Sequence, residues 1–188
     1  MKQKVELTNL NILIMSKETL LKSIRTVPDF PLPGILFYDI TTLLKDYDSL
    51  KELSDILYDM YKDKGITKVV GIESRGFILG AILAARLGAG FVPARKPGKL
   101  PAETIEESFS KEYGTDTIQL HKDAIKENDV VLLHDDLLAT GGTIAAACRL
   151  VKKLRPKKIY ANCIIDIAEL HPKDLFGDEI ETTAVITV

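Results

Sequence analysis

The chain has no tryptophan, three methionines and only two cysteines in 188 residues. The cysteines, Cys148 and Cys163, give neither a disulfide framework nor the spacing of a metal-ligating cluster. They read as small buried core residues in a reducing compartment, so a cytoplasmic location is expected. An excess of one charge is also missing. The 25 Lys and Arg against 27 Asp and Glu leave a formal net charge of −2. No global field draws such a chain to nucleic acid or to an anionic membrane, so an anionic ligand must be held by a local cluster of positive charge. No run approaches the ~20 apolar residues that span a bilayer. The first residues, MKQKVELTNLNILIM, begin with Lys2 and Lys4 like a secretory leader. However, Glu6 interrupts the apolar part, which is short, and no small-residue cleavage site follows. Residues 1–15 are expected to be an extension without fixed order, with Met15 before Ser16 as an alternative start.

What is present is the composition of a globular protein, 46% hydrophobic and 28% charged. The length suits one domain, placed at residues 16–188. Ser16 is positioned to cap a helix to about Arg25, and the VPDFPLPG stretch at 27–34 reads as a rigid loop. ILFYDI at 35–40 is extended, and Asp48 is the expected cap of a second helix. KVVGI at 68–72, a helix over 77–86 and GFVPAR at 90–95 form a strand, helix, strand unit. Residues 96–108 read as loop, and SFSKEYG and DTIQLH alternate like hairpin strands. A strand at 130–133, a helix at 142–154 and a strand at 157–166 complete the pattern. It predicts a doubly wound α/β fold with a mainly parallel central sheet flanked by helices. Ligands of such sheets sit outside the carboxyl ends of the strands. The turns at 73–76 and 135–143 both lie there.

The densest signal is VVLLHDDLLATGGT at 130–143. Ala139, Thr140, Gly141, Gly142 and Thr143 stand where a helix begins. Unpaired N–H groups and a partial positive charge at such a terminus suit phosphate, and glycines let it come close. Asp135 and Asp136 would repel phosphate, so sugar hydroxyls or a divalent cation suit them better. A 5-phosphorylated ribose fits both halves. A plain capped helix after a strand is the competing reading.

LLHDDLLATGGT resembles the ribose-phosphate signature of the type I phosphoribosyltransferases. Three further segments resemble the adenine branch of that family: DFPLPGILFYDIT at 29–41, GIESRGFILGAILAARLG at 71–88 and RKPGKLPAETIEESFSKEYGTDTIQLHKDAI at 95–125. The likeness runs from about Ser16 to Asp166. It implies a small N-terminal hood (16–45) and a flexible hairpin lid (96–116) on the sheet. The implied reaction is adenine plus 5-phosphoribosyl 1-diphosphate giving AMP and diphosphate, with Mg²⁺ as cofactor and a homodimer as the assembly. No protein ligand is expected to bind the metal directly.

By the same resemblance Phe37 stacks on the purine, while the backbones of Leu36 and Tyr38 read its amino edge. Ser74, Arg75 and Gly76 hold the diphosphate, with Arg95 and Lys99 adding charge. Glu112 handles the purine proton, and Tyr113 helps to seal the lid. Ala139 stands where enzymes for 6-oxopurines carry an aspartate. Tyr38 departs from the family's usual arginine, and His134 from its usual aliphatic residue. The alternatives at this stage are a related enzyme for another purine, such as xanthine, and a non-catalytic sensor of phosphoribosyl diphosphate.

Overall fold

The computed structural model describes residues 17–110, 114–172, 175–177 and 179–188. The described residues fall into two compact units, divided between Ile56 and Leu57. The first begins with helix α1 at residues 17–23. Strand β1 (Arg25–Pro28) then pairs antiparallel with β2 (Leu36–Asp39). The short α2 (Thr41–Leu44) follows, and α3 (Tyr47–Tyr61) starts here and ends in the second unit. The strand β1 replaces the predicted end of the helix and the start of the rigid loop. It forms because β2 supplies a ladder for it, and because Asp39 anchors its first residue. Asp39 Oδ2 accepts from Arg25 Nε at 3.1 Å. Asp39 Oδ1 accepts from the Thr41 backbone at 2.9 Å and the Thr41 hydroxyl at 2.6 Å. The cap of α3 is Asp46, whose Oδ1 accepts from the Ser49 backbone at 2.9 Å. Asp48, the expected cap, stands in the first turn instead. Leu20, Ile40, Leu43 and Leu53 are fully buried.

The second unit is built on a five-stranded sheet. Its elements in order are β3 (Lys68–Ile72), α4 (Gly76–Leu87), β4 (Gly90–Ala94), β5 (Thr104–Ser110), β6 (Thr115–His121), β7 (Val130–Leu138), α5 (Gly142–Lys153), β8 (Lys158–Asp166) and β9 (Glu181–Thr187). The strand order is β4-β3-β7-β8-β9, and every neighbouring pair is parallel. From β3 the chain winds outward to β4, whereas from β7 it winds the other way to β8 and β9. The order therefore reverses between β3 and β7, and a crevice opens at their carboxyl ends. β5 and β6 form a separate antiparallel hairpin.

The apolar runs of β7 and β8 bury Val131, Leu133, Ala161 and Cys163 against Ala146, Ala147, Leu150 and Val151 of α5. Each fully buried aliphatic side chain contributes about 1.5–3 kcal/mol. Cys148 and Cys163 are both free and buried. Burial pushes the Cys148 thiol up to about 12. Among the described residues no helix is long and apolar enough to cross a membrane.

The hydrogen bond from the Thr41 side chain, with those from Arg25 and the Thr41 backbone, holds the Asp39 carboxyl down at about 2. A carboxyl depressed on folding stabilises the protein above its unfolded value, about 4, and the benefit fades as pH falls towards 2. Arg25 is largely exposed, so solvent screens the pair and limits the effect. Asp39→Ala is expected to cost about 1 kcal/mol at pH 7 in urea unfolding. The difference from the parent protein should shrink as the pH is lowered from 4 to 2.

Candidate active site

Strand β7 does not stop at Leu133, where the apolar run suggested, but continues through both aspartates to Leu138. The pairing of Asp135 with Cys163, Leu137 with Ile165 and Leu138 with Asp166 on β8 sustains it. The turn after it is set by Gly141, the cap of α5, at φ 77°. That left-handed backbone favours glycine. A Cβ there would also sit 2.0 Å from Leu175 Cδ2. No side chain caps α5, so the first-turn N–H groups are left facing outward from the helix end. Ala139, Thr140, Gly141, Gly142 and Thr143 line one cavity with Asp135, of about 100 Å³. The turn thus lines a small cavity at the N-terminal end of α5.

The turn after β3 comes to the same place. Arg75 is the cap of α4, which likewise has no side-chain cap. Arg75 Nε lies 2.7 Å from Asp136 Oδ2, and Asp136 is 4% exposed. Gly76 is required by close approach. A Cβ on it would meet the His134 carbonyl at 2.7 Å and Asp135 Oδ1 at 3.0 Å. Asp135 Oδ1 accepts from the backbone N–H of Asp136 at 2.9 Å. Burial raises both carboxyls above the usual range. The neighbouring Asp136 charge adds to the rise at Asp135, whereas the Arg75 guanidinium opposes it at Asp136. Asp136 is accordingly the partner that holds its charge more readily.

Glu73 is a residue the sequence reading left unassigned. Its Oε1 accepts from Lys99 Nζ at 2.6 Å and from Arg95 at 3.3 Å. Its Oε2 accepts from the Lys96 backbone at 2.9 Å. Burial pushes Glu73 up, but these donors outweigh it and bring the carboxyl down to about 2. Arg95 and Lys99, expected at the diphosphate, are thus drawn together on one carboxylate at the end of β3. The sequence shows only an acidic residue opening the ESRG turn, with the cations more than twenty residues further on. Glu73, Arg95 and Lys96 also line a narrow cavity of about 30 Å³ with Phe109 and Asp116 of the hairpin and Thr143 of α5. The hairpin region therefore borders the site.

Leu36, Phe37 and Tyr38 lie on β2 in the first unit, with Phe37 packed edge-on against Phe30 at 5.0 Å between ring centres. Glu112 and Tyr113 lie outside the described residues. His134 is inside β7 and fully buried, and burial lowers its imidazole to about 4.

The 139–143 turn, the Asp135 and Asp136 carboxylates and the cations on Glu73 thus all stand at the switch point of the parallel sheet. The family model for the phosphoribosyl transferase domain matches residues 39–186. An adenine phosphoribosyltransferase of Bacteroides thetaiotaomicron is 72% identical over 176 residues, which is 94% of this chain and all of the relative. The crystal structure of adenine phosphoribosyltransferase from Rhodothermus marinus superimposes with a TM-score of 0.87 at 46% identity, covering 93% of this chain and 99% of that one. The Giardia lamblia enzyme, solved with 9-deazaadenine, gives 0.86 at 42% identity over 92% of this chain and 97% of that one. The chain belongs to the phosphoribosyltransferase family, in its adenine phosphoribosyltransferase branch.

Gly141→Ala tests the turn. A left-handed alanine costs roughly 1–2 kcal/mol, and the methyl group displaces Leu175 as well. The expected result is at least a roughly tenfold weaker Kd for AMP by calorimetry, with the secondary structure unchanged by circular dichroism.

Proposed function

We propose that the protein transfers the 5-phosphoribosyl group from phosphoribosyl diphosphate to adenine, giving AMP and diphosphate. The observation that carries this reading is the joined turn and carboxylate pair at 135–143. The names of the highly similar relatives support adenine as the base, as does the 9-deazaadenine bound to the Giardia lamblia enzyme. In the reaction the bond from C1 of the ribose to the diphosphate oxygen breaks, and N9 of adenine forms a bond to C1 from the opposite face. The N9 proton is lost, and Glu112 is its assigned acceptor. The diphosphate leaves with the bonding electron pair.

The chain's own residues do four things in this scheme. Backbone N–H groups of the 139–143 turn bind the 5-phosphate and so fix one end of the sugar. Asp135 and Asp136 accept from the ribose hydroxyls and place negative charge near the ring as positive charge develops on it. Arg75, with the N–H groups of Ser74 and Gly76, takes the diphosphate, and Arg95 and Lys99 add to the positive field. Phe37 stacks on the base, while backbone groups of Leu36 and Tyr38 distinguish a 6-amino from a 6-oxo group, because mismatched donors would be left unpaired.

Mg²⁺ fits this donor set. The described residues contain no cluster of three or more potential ligands, and Mg²⁺ commonly binds through one or two carboxylates together with substrate oxygens and water. Asp135 and Asp136 are the residues that would hold it, through the ribose hydroxyls or water. The ion would supply neutralisation of the leaving diphosphate. A homodimer is the proposed assembly, and the cytoplasm the proposed location.

Incubation with phosphoribosyl diphosphate, Mg²⁺ and each purine in turn should give AMP from adenine alone, and chelation of the metal should abolish turnover. Formation of xanthine nucleotide, or binding without turnover, would overturn the assignment. Asp136→Asn should lower kcat/KM by about a hundredfold with the fold retained, because it removes a charge that stabilises the developing cation and that faces Arg75 at 2.7 Å.

A further inference from the structure

Behind the aspartates, a row of buried polar groups crosses the sheet. His134 on β7, Asn162 on β8 and Thr183 on β9 are direct neighbours in the strand registers. His134 Nδ1 lies 3.0 Å from Asn162 Oδ1. Asn162 Nδ2 donates to the Thr183 carbonyl at 3.3 Å and to its hydroxyl at 3.0 Å. The Thr183 hydroxyl in turn meets the Tyr61 hydroxyl at 2.6 Å. His134 and Asn162 are fully buried and Tyr61 is 2% exposed.

The row has a defined direction. A carbonyl oxygen only accepts, so the Asn162 group facing the Thr183 carbonyl must be its NH₂. Asn162 Oδ1 is then the acceptor towards His134, and His134 carries its proton on Nδ1. The other ring nitrogen, Nε2, is buried with no hydrogen-bond partner among the described residues. The imidazole is therefore oriented from one side, by Asn162.

The opening of α4 rests on this same residue. A Cβ on Gly76, the first residue of the helix, would be 2.7 Å from the His134 carbonyl. One turn later, a Cβ on Gly80 would be 3.7 Å from His134 Cδ2. The backbone of His134 at Gly76 and its ring at Gly80 thus form part of the surface on which the first turns of α4 are seated, beside Gly71 and Phe91. The cap of that helix is Arg75, which pairs with Asp136. The ring therefore bears on α4 at Gly80, one turn from the helix end that carries Arg75.

We propose that His134 is a positioning residue: the row Tyr61–Thr183–Asn162–His134 sets the seat of α4 against β7, and so the grip of Arg75, Asp135 and Asp136 on phosphoribosyl diphosphate. This rests on the ribose and diphosphate reading above. It assigns His134 a role in sugar-phosphate binding and none in base recognition.

The test is steady-state kinetics with phosphoribosyl diphosphate and adenine varied separately, alongside melting temperatures, on His134→Leu, His134→Asn, Asn162→Ala and the His134→Leu/Asn162→Ala double variant. His134→Leu keeps bulk and removes the donor, whereas asparagine keeps an N–H donor near the place of Nδ1. His134→Leu and Asn162→Ala should each raise KM for phosphoribosyl diphosphate about tenfold and leave KM for adenine within about twofold. The double variant should be no worse than either single one, as expected for two members of one unit. His134→Asn should recover most of the loss. An unchanged KM for phosphoribosyl diphosphate in His134→Leu overturns the proposal. So does an equal rise in both KM values with a lowered melting temperature, or a failure of asparagine to recover. If His134→Leu does not fold, Thr183→Val reads the same row from its far strand, and an unchanged KM there also overturns it. Absence of turnover in the parent protein would instead reject the enzymatic reading on which the proposal rests.

Discussion

The buried contact between Arg75 and Asp136 ties the site together. Asp136 is almost inaccessible to water, and an uncompensated carboxylate there would be costly. Arg75 supplies the opposite charge at 2.7 Å, from the end of the neighbouring strand's turn. One interaction thereby joins the loop after β3 to the strand β7. It sets Arg75 beside the carboxylate pair, and removing Arg75 would leave the nearly inaccessible Asp136 without the opposite charge at 2.7 Å.

The sheet topology makes that meeting possible. Because the winding reverses between β3 and β7, the two turns following them are neighbours although Arg75 and Asp136 are far apart in sequence. Both turns open a helix, α4 or α5, that lacks a side-chain cap. Two helix ends therefore present N–H groups and partial positive charge to one crevice. Glycine is needed at each for a different reason. Gly76 lets α4 approach the β7 backbone, and Gly141 turns the chain in a left-handed conformation under Leu175. Glu73 then gathers Arg95 and Lys99 at the edge of the same crevice. The site thus pairs Asp136 with Arg75 and Glu73 with Arg95 and Lys99.

Local signals made much of this legible. β3, α4, β4 and α5 follow from apolar period, glycine and length, and their bounds shifted by only a residue or so. The turn that opens α5 was visible because glycine and threonine mark a strand-to-helix junction. What stayed hidden depends on distant partners. β1 looked like a proline-bound loop because its ladder comes from β2. The apolar run suggested that β7 ended at Leu133, since only pairing with β8 carries a strand through two aspartates. Glu73 had no reading because the cations that occupy it follow more than twenty residues later. His134 stood out only as a departure from the family's usual aliphatic residue, and the register with Asn162 and Thr183 shows it as part of a row.

A crystal structure of the protein with AMP bound tests the central claim most directly. The account predicts 5-phosphate oxygens accepting from backbone N–H groups between Thr140 and Thr143, with the ribose hydroxyls on Asp135 and Asp136. A nucleotide bound elsewhere, with this turn holding only solvent, would contradict it.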